Sequence, residues 1–395
     1  MSANTRIKTT HVGSLPRPAT LIELLRERHA GRAIDSAAFG DEVRNAVNDV
    51  VAHQVAAGVD LVSDGEMAKI SYSYYVQDRL AGLSPAAQAE ASGGALLRFQ
   101  SIETVDPDFP DFAAFFVAAG RGPASAAPPV CTGPLSYRDL APVGKELSLL
   151  KDAVVAARAP GAFMTAASPG VIAMFASRSS FYKSEDDYVF ALAEAMKSEY
   201  EEIHRAGIVL QIDCPDLALA PHMNYGPGPR DPHRVIARNV EALNLATANI
   251  PPHAMRVHLC WGNYPGPHVR DMEVAGLFPH LRKVRARALS FEGGNPRHEH
   301  EWEDWRDAKM PDDMVLIPGV IDSTTNFVEH PRLVAQRILN FANAVGRERV
   351  IAGVDCGFGT FATQSVQSFP TIVWAKLKSL SEGAEIASAK LWGKG

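Results

Sequence analysis

Apolar positions along this chain follow two alternating rhythms. Short runs of β-branched and apolar residues read as strands, and between them apolar residues recur every three or four positions, as on one face of a helix. The amphipathic stretch 38–57, AFGDEVRNAVNDVVAHQVAA, feeds the run GVDLVSDGEM. FMTAASPG comes next, and a long helical pattern, EDDYVFALAEAMKSEYEEIHRAG, leads into IVLQIDCPDL. PHRVIARNVEALNLAT precedes RVHLCWGN, and ARALSFEGG follows; MVLIPGVIDS then gives way to EHPRLVAQRILNFANAVG and RVIAGVDCGFGT. Repeated helix-then-strand order predicts parallel strands with crossover helices. Counted from KTTHVGS there are roughly seven or eight strands, which favours a closed α/β structure, a (β/α)8 TIM barrel, over an open sheet.

The segment from about 85 to 130 is rich in Ala, Pro, Ser and Gly. It reads as an inserted extension carrying LLRFQSIETV, a hairpin rather than a separate domain. The expectation is one barrel domain over 1–395. At 46% hydrophobic and 21% charged, the 395 residues hold ample apolar mass for a large core. A net charge of −6 gives no electrostatic reason to expect nucleic acid or an anionic membrane as partner. No run reaches the ~18 uncharged apolar residues of a membrane span. The opening MSANTRIKTT lacks the apolar stretch of a signal peptide, so a cytoplasmic protein is expected. Its four cysteines, Cys131, Cys214, Cys260 and Cys356, are then buried, catalytic or metal-bound rather than disulfide-bonded.

Polar or ionisable residues recur where the strands end: His11 and Ser14, Asp64 and Glu66, Asp213 and Cys214, His258 and Cys260, Glu292, Asp322, and Asp355 with Cys356. In barrels the active site gathers at the C-terminal strand ends, so these groups converge on one mouth. On a strand, residues i and i+2 share a face, which aims His258 and Cys260 at one point and suits zinc, a cation of nitrogen and sulfur ligands. Alone, the pair fits a packed core or a chance match better than a metal site, since Cys is among the most buried residue types. Glu292 and Cys356, each followed by glycines that allow a sharp turn, are the two further ligands nominated.

From TTHVGSLPRP onward the chain resembles the catalytic C-terminal barrel of cobalamin-independent methionine synthase, a superfamily that includes epoxyalkane:coenzyme M transferases. The resemblance covers nearly all of the sequence, TGP at 132–134 included, with no counterpart of that enzyme's N-terminal barrel. The family's zinc ligands are a His-x-Cys pair, a Glu, and the Cys of an Asp-Cys-Gly motif. They fall on His258, Cys260, Glu292 and Cys356. The resemblance thus implies a zinc-dependent S-alkyltransferase acting on a small thiol, homocysteine above all, with methyl-folate or another alkyl donor. It makes Glu292 the exchangeable ligand. It also implies Ser14, Glu66 and Asp213 as contacts for the amino-acid end of homocysteine, Glu66 and Asp213 meeting its ammonium and Ser14 its carboxylate. Asp213 is placed among the catalytic residues as well.

Three departures bear on the donor. Cys214 stands where the family has an acid in its QIDEP strand, Thr324 where it has a proton-transferring His, and His11 where it usually has Thr. The folate-binding features are not clearly traceable. His11, expected at the mouth near the zinc and titrating near neutral pH, is the candidate for the missing acid. Epoxide opening by a zinc-bound thiolate of coenzyme M is the alternative activity, and a non-catalytic zinc- and thiol-binding protein the alternative of another class. Neither nucleic acid nor membrane is an expected partner, and an oligomer is compatible with the sequence.

Overall fold

The computed structural model describes residues 5–84, 108–118, 129–176, 178, 181–222, 231–362 and 368–393. Its strands are β1 (Lys8–Thr9), β2 (Leu61–Val62), β3 (Leu80–Ser84), β4 (Val130–Tyr137), β5 (Gly161–Ala167), β6 (Val209–Asp213), β7 (Met255–His258), β8 (Ala288–Phe291), β9 (Val315–Pro318) and β10 (Ile351–Ala352). Six of them form one parallel sheet in the order β2-β5-β6-β7-β8-β9, and β1 pairs in parallel with β10. Parallel bridges join the two groups: Thr10 to Leu61 links β1 with β2, and Leu316 to Val350 and Gly319 to Gly353 link β9 with β10. Eight parallel strands therefore close on themselves, the (β/α)8 barrel that the alternating pattern predicts.

The helices form where the spacing places them. Glu185–Arg205 starts at a capping box, with Ser184 Oγ accepting from the Asp187 N–H and the Asp187 carboxylate accepting from the Ser184 N–H. Loss of such a cap costs about 1 kcal/mol. Its inner face, Tyr188, Leu192, Met196, Tyr200 and Ile203, is fully buried, at the three- and four-residue spacing that a helix needs to lay one stripe on a sheet. The connection between β8 and β9 differs, since its helical part is the 3-10 segment Glu299–Arg306.

The insertion leaves the barrel through an antiparallel hairpin, β3 with β4, paired from Leu80–Tyr137 to Ser84–Val130. Its base is therefore wider than 85–130, and TGP lies within β4. The LLRFQSIETV stretch at 96–105 lies outside the described residues. Tyr75 and Tyr137 both donate to the Glu199 carboxylate, and Arg79 pairs with Glu146, pinning the hairpin to the helical layer.

Inside the barrel, Arg256 of β7 lies over the Phe163 ring at 3.4 Å. It donates to Gln211 Oε1 (2.7 Å), Thr10 Oγ1 (3.0 Å) and the His11 carbonyl (2.8 Å). One guanidinium thus ties β7, β6 and β1 together beneath the mouth.

Candidate metal centre and acceptor pocket

His258 ends β7, and Cys260 follows two residues on. The Cys214 N–H donates to the His258 carbonyl (2.8 Å) and the Leu259 N–H to the Ser290 carbonyl (2.8 Å). Backbone on both sides thereby holds the pair in place. Cys356 arrives from the loop after β10. One donor atom from each of His258, Cys260 and Cys356 lies within 4.8 Å of the others. The two sulfurs are 3.5 Å apart, and both are free thiols. Neither ring nitrogen of buried His258 makes a hydrogen bond of normal geometry, a costly state for a buried polar group. Burial, with the Arg256 cation adding to it, pushes its pKa down to about 3, so the ring is neutral, the form that binds a metal. The Cys356 thiol, bonded to Cys260 and buried, is held well above its ordinary range. An imidazole without a hydrogen bond of normal geometry beside two thiols that bond chiefly to each other fits a nitrogen- and sulfur-seeking cation.

Glu292 follows β8 and is buried beside this group without joining it. Its Oε1 accepts from the Trp261 N–H (2.8 Å), and its Oε2 from Asn295 Nδ2 (2.9 Å) and Arg297 Nη2 (2.6 Å). Asn295 Nδ2 also donates to Asp355 Oδ2 (2.8 Å), while Asp355 Oδ1 accepts from the N–H groups of Gly293 (2.9 Å) and Gly294 (2.7 Å). Burial, then Glu292 and Asp322, push the Asp355 carboxyl up to about 7. The structure therefore brings three of the four nominated ligands together and sets the fourth on partners of its own.

Across the mouth, Glu66 sits at φ 59°, a left-handed conformation that costs a non-glycine residue energy and concentrates at functional sites. Gly13, at φ +149°, makes room for it, since a Cβ there would stand 2.5 Å from Thr165 Cγ2 and 3.0 Å from Glu66 Oε1. Glu66 Oε1 accepts from Thr165 Oγ1 (2.9 Å). Its Oε2 is buried without a hydrogen bond, and Arg17 Nη2 stands 3.8 Å away. Asp213 ends β6 and accepts from Gln211 Nε2 at 2.7 Å. Burial, with the neighbouring Glu66 next, pushes the Asp213 carboxyl well above the usual range, toward its neutral form. Lys69 Nζ donates to the Thr165 carbonyl (2.6 Å), while Arg17 hydrogen-bonds the carbonyls of Glu66 and Gly359 and meets the Glu66 carboxylate only as a long ion pair. Ser14 touches the loop that carries Cys356. Its carbonyl accepts from the Phe358 N–H (2.9 Å), and a Cβ on Gly357 would lie 2.0 Å from its Oγ.

The structure does not bring His11 to this group. Its ring is 1% exposed, its Nε2 is hydrogen-bonded to Gln54 at 2.7 Å, and it packs edge-on against Phe163. Burial pushes its pKa down to about 3, so the ring is neutral near neutral pH and donates its Nε2 proton to Gln54 Oε1. Thr324 Oγ1 donates to Asp322 Oδ1 (2.8 Å). Asp64 caps the Glu66 N–H (3.0 Å), and Cys214 is buried, its thiol raised well above the ordinary range by burial. Sequence reasoning passes over Arg17, Asn295 and Arg297; the one local cue is that Arg297 ends GGNPR, the turn that Glu292 begins.

The chain is 25% identical over 399 residues to the methionine synthase of Sulfurisphaera tokodaii, across 98% of this chain and 95% of the relative. It is 24% identical over 406 residues to that of Saccharolobus solfataricus, across 100% and 99%. Among solved structures, a B12-independent methionine synthase from Shewanella sp. W3-18-1, in complex with selenomethionine, matches with a TM-score of 0.73 at 19% identity, covering 98% of this chain and 99% of that one. The profile of the cobalamin-independent synthase catalytic domain matches residues 142–373, a span that contains Asp213, His258, Cys260, Glu292 and Cys356. By that match, which takes in more than half of its length and every nominated metal donor, the chain belongs to the cobalamin-independent synthase catalytic-domain family, a family of methyltransferases.

Proposed function

We propose that this enzyme makes methionine by moving a methyl group from methyl-folate or another donor to the sulfur of homocysteine, with one zinc ion on His258, Cys260, Cys356 and Glu292. The observation that carries the reading is the pairing of two unlike sites at one mouth: nitrogen and sulfur donors within 4.8 Å of one another, and two buried acids, one with an oxygen that lacks a hydrogen bond and one held toward its neutral form. Zinc bound there keeps the acceptor sulfur a nucleophilic thiolate at neutral pH. Glu66 and Asp213 take the substrate ammonium, which favours the ionised Asp213 and completes the hydrogen bonding of Glu66 Oε2. Ser14 takes the carboxylate. Tyr72, packed edge-on against Phe175 and Phe361, walls the pocket against water. His11 stays outside the proton path. Two adjacent free thiols call for a reducing compartment, and we place the enzyme in the cytoplasm; among the described residues no helix is long and apolar enough to cross a membrane.

The acid pair favours an amino-acid thiol over coenzyme M, which carries no amino group. Homocysteine and coenzyme M, each offered with methyl-folate and with small epoxides, decide the matter. Methionine formation from homocysteine by zinc-loaded protein is the expected result. Alkylation of coenzyme M alone overturns the reading. Metal analysis should give one zinc per chain, lost in Cys260→Ser and Cys356→Ser.

A further inference from the structure

Glu292 differs from the other three nominated ligands in carrying a complete set of partners. Trp261 N–H, Asn295 Nδ2 and Arg297 Nη2 all point at its two oxygens. The set is itself braced. Asn295 Oδ1 accepts from the Arg297 N–H (3.1 Å) and Nε (3.0 Å), and Asn295 Nδ2 reaches Asp355, the residue before Cys356. Arg297 Nη1 is buried without a hydrogen bond, so the guanidinium is held in place chiefly by Asn295 and the Glu292 carboxylate.

We infer that Arg297, Asn295 and the Trp261 N–H form a berth for the Glu292 carboxylate off the metal, and that Arg297 thereby sets how readily the acceptor thiol enters. The inference rests on the zinc reading above. A buried carboxylate that releases a metal is left an uncompensated anion unless another cation receives it. Arg297 supplies that cation through a charge-assisted hydrogen bond, already formed beside the donors. Arg297 is thus a positioning residue, acting on the substrate only through Glu292.

Two roles for Arg297 give opposite signs. A partner that only steadies a permanent ligand lowers metal affinity when removed, typically about 10–100-fold. Removing a berth leaves the metal as the cation available to Glu292, so the metal is held longer and the thiol enters less readily. In Arg297→Met, zinc transfer to a chromogenic chelator in the absence of thiol should slow about tenfold, and the homocysteine KM should rise by a similar factor. X-ray absorption at the zinc edge should show wild type exchanging an oxygen neighbour for sulfur when homocysteine is added, and Arg297→Met retaining the oxygen. Arg297→Lys should restore part of each effect. Zinc release from a folded Arg297→Met protein at or above the wild-type rate, or an undiminished exchange of oxygen for sulfur, overturns the berth. If that variant does not fold, Asn295→Ala removes a second contact and should shift release in the same direction, and unchanged or faster release from it likewise overturns the proposal. Absence of zinc from wild-type protein, or its full retention in Cys260→Ser, instead refutes the metal reading on which the berth rests.

Discussion

His258 and His11 are both buried imidazoles at strand ends of one barrel mouth, and burial pushes each down to a pKa of about 3. Their surroundings part company from there. His11 gives one nitrogen to Gln54 and packs its edge on Phe163, while its Nδ1 lacks a hydrogen bond. His258 has neither nitrogen in a normal hydrogen bond and two free sulfurs within reach. Burial, neutrality and an unbonded ring nitrogen, then, do not set a metal donor apart from a packing histidine; the two sulfurs beside it do. His298 supplies a third case. Burial pulls its pKa down too, but Asp271 (3.3 Å) and Glu301 (3.0 Å) override that and push it up to about 10. Carboxylates can make a buried imidazole a permanent cation, with the Trp261 ring 4.4 Å away as its other neighbour.

The sharpest break of the comparison is His258→Asn. It should abolish stoichiometric zinc and lower turnover on the order of 10³-fold or more, beyond the 10–100-fold typical of a ligand's supporting partner; zinc content at the wild-type level would remove His258 from the centre. His298 comes next. Its folded pKa lies above its unfolded value near 6.5, so its contribution to stability is fully present below that pH and is lost as pH rises through about 10. Against His298→Gln, wild type should gain on the order of 3 kcal/mol at pH 6 relative to pH 10.5. Denaturant titrations of both proteins at the two pH values measure this, and a gap that does not change with pH would show that the imidazole is not charged in the fold. Glu66→Gln should weaken homocysteine binding by about 1.5–3 kcal/mol, the scale of a charged hydrogen bond, while zinc content stays constant. Unaltered affinity in calorimetry would move the ammonium elsewhere. The smallest effect is expected of His11→Asn, a loss of about 1 kcal/mol of stability from the Gln54 contact with turnover nearly unchanged. A zinc-replete His11→Asn protein slowed about 10²-fold or more would return the imidazole to proton transfer.

The barrel was legible because its signal is local. Each strand is a short apolar run, each helix repeats at its own spacing, and the hydrogen bonds of both are set by residues close in the chain or by backbone alone. The three gathered donors were legible for a related reason: His258 and Cys260 sit two apart at one strand end, and Cys356 closes another. What escaped depends on side chains meeting across the fold. Gln54 takes His11 from 43 residues away, and nothing in THVGS announces that. Arg17 reaches the carbonyls of Glu66 and Gly359, and Arg256 the carbonyl of His11, contacts invisible to any pattern of residue types. Glu292 was readable as a carboxylate at a strand end, but its partners Asn295 and Arg297 were not, because a turn's side-chain directions depend on what packs over it.

The pairing of β1 with β10 sets the order in which the molecule can be completed as it leaves the ribosome. Lys8 and Thr9 find their ladder partners only at Ile351 and Ala352, and Arg17 meets Gly359 across 342 residues of chain. The first strand must therefore wait through most of synthesis with one edge unpaired, a loop closure that slows folding and invites association with other nascent chains. Ser14 gains its contact with the Cys356 loop at that same last step. The catalytic mouth is consequently finished only when the barrel seam closes, and a chain arrested before residue 351 would carry most of the helices and none of the activity.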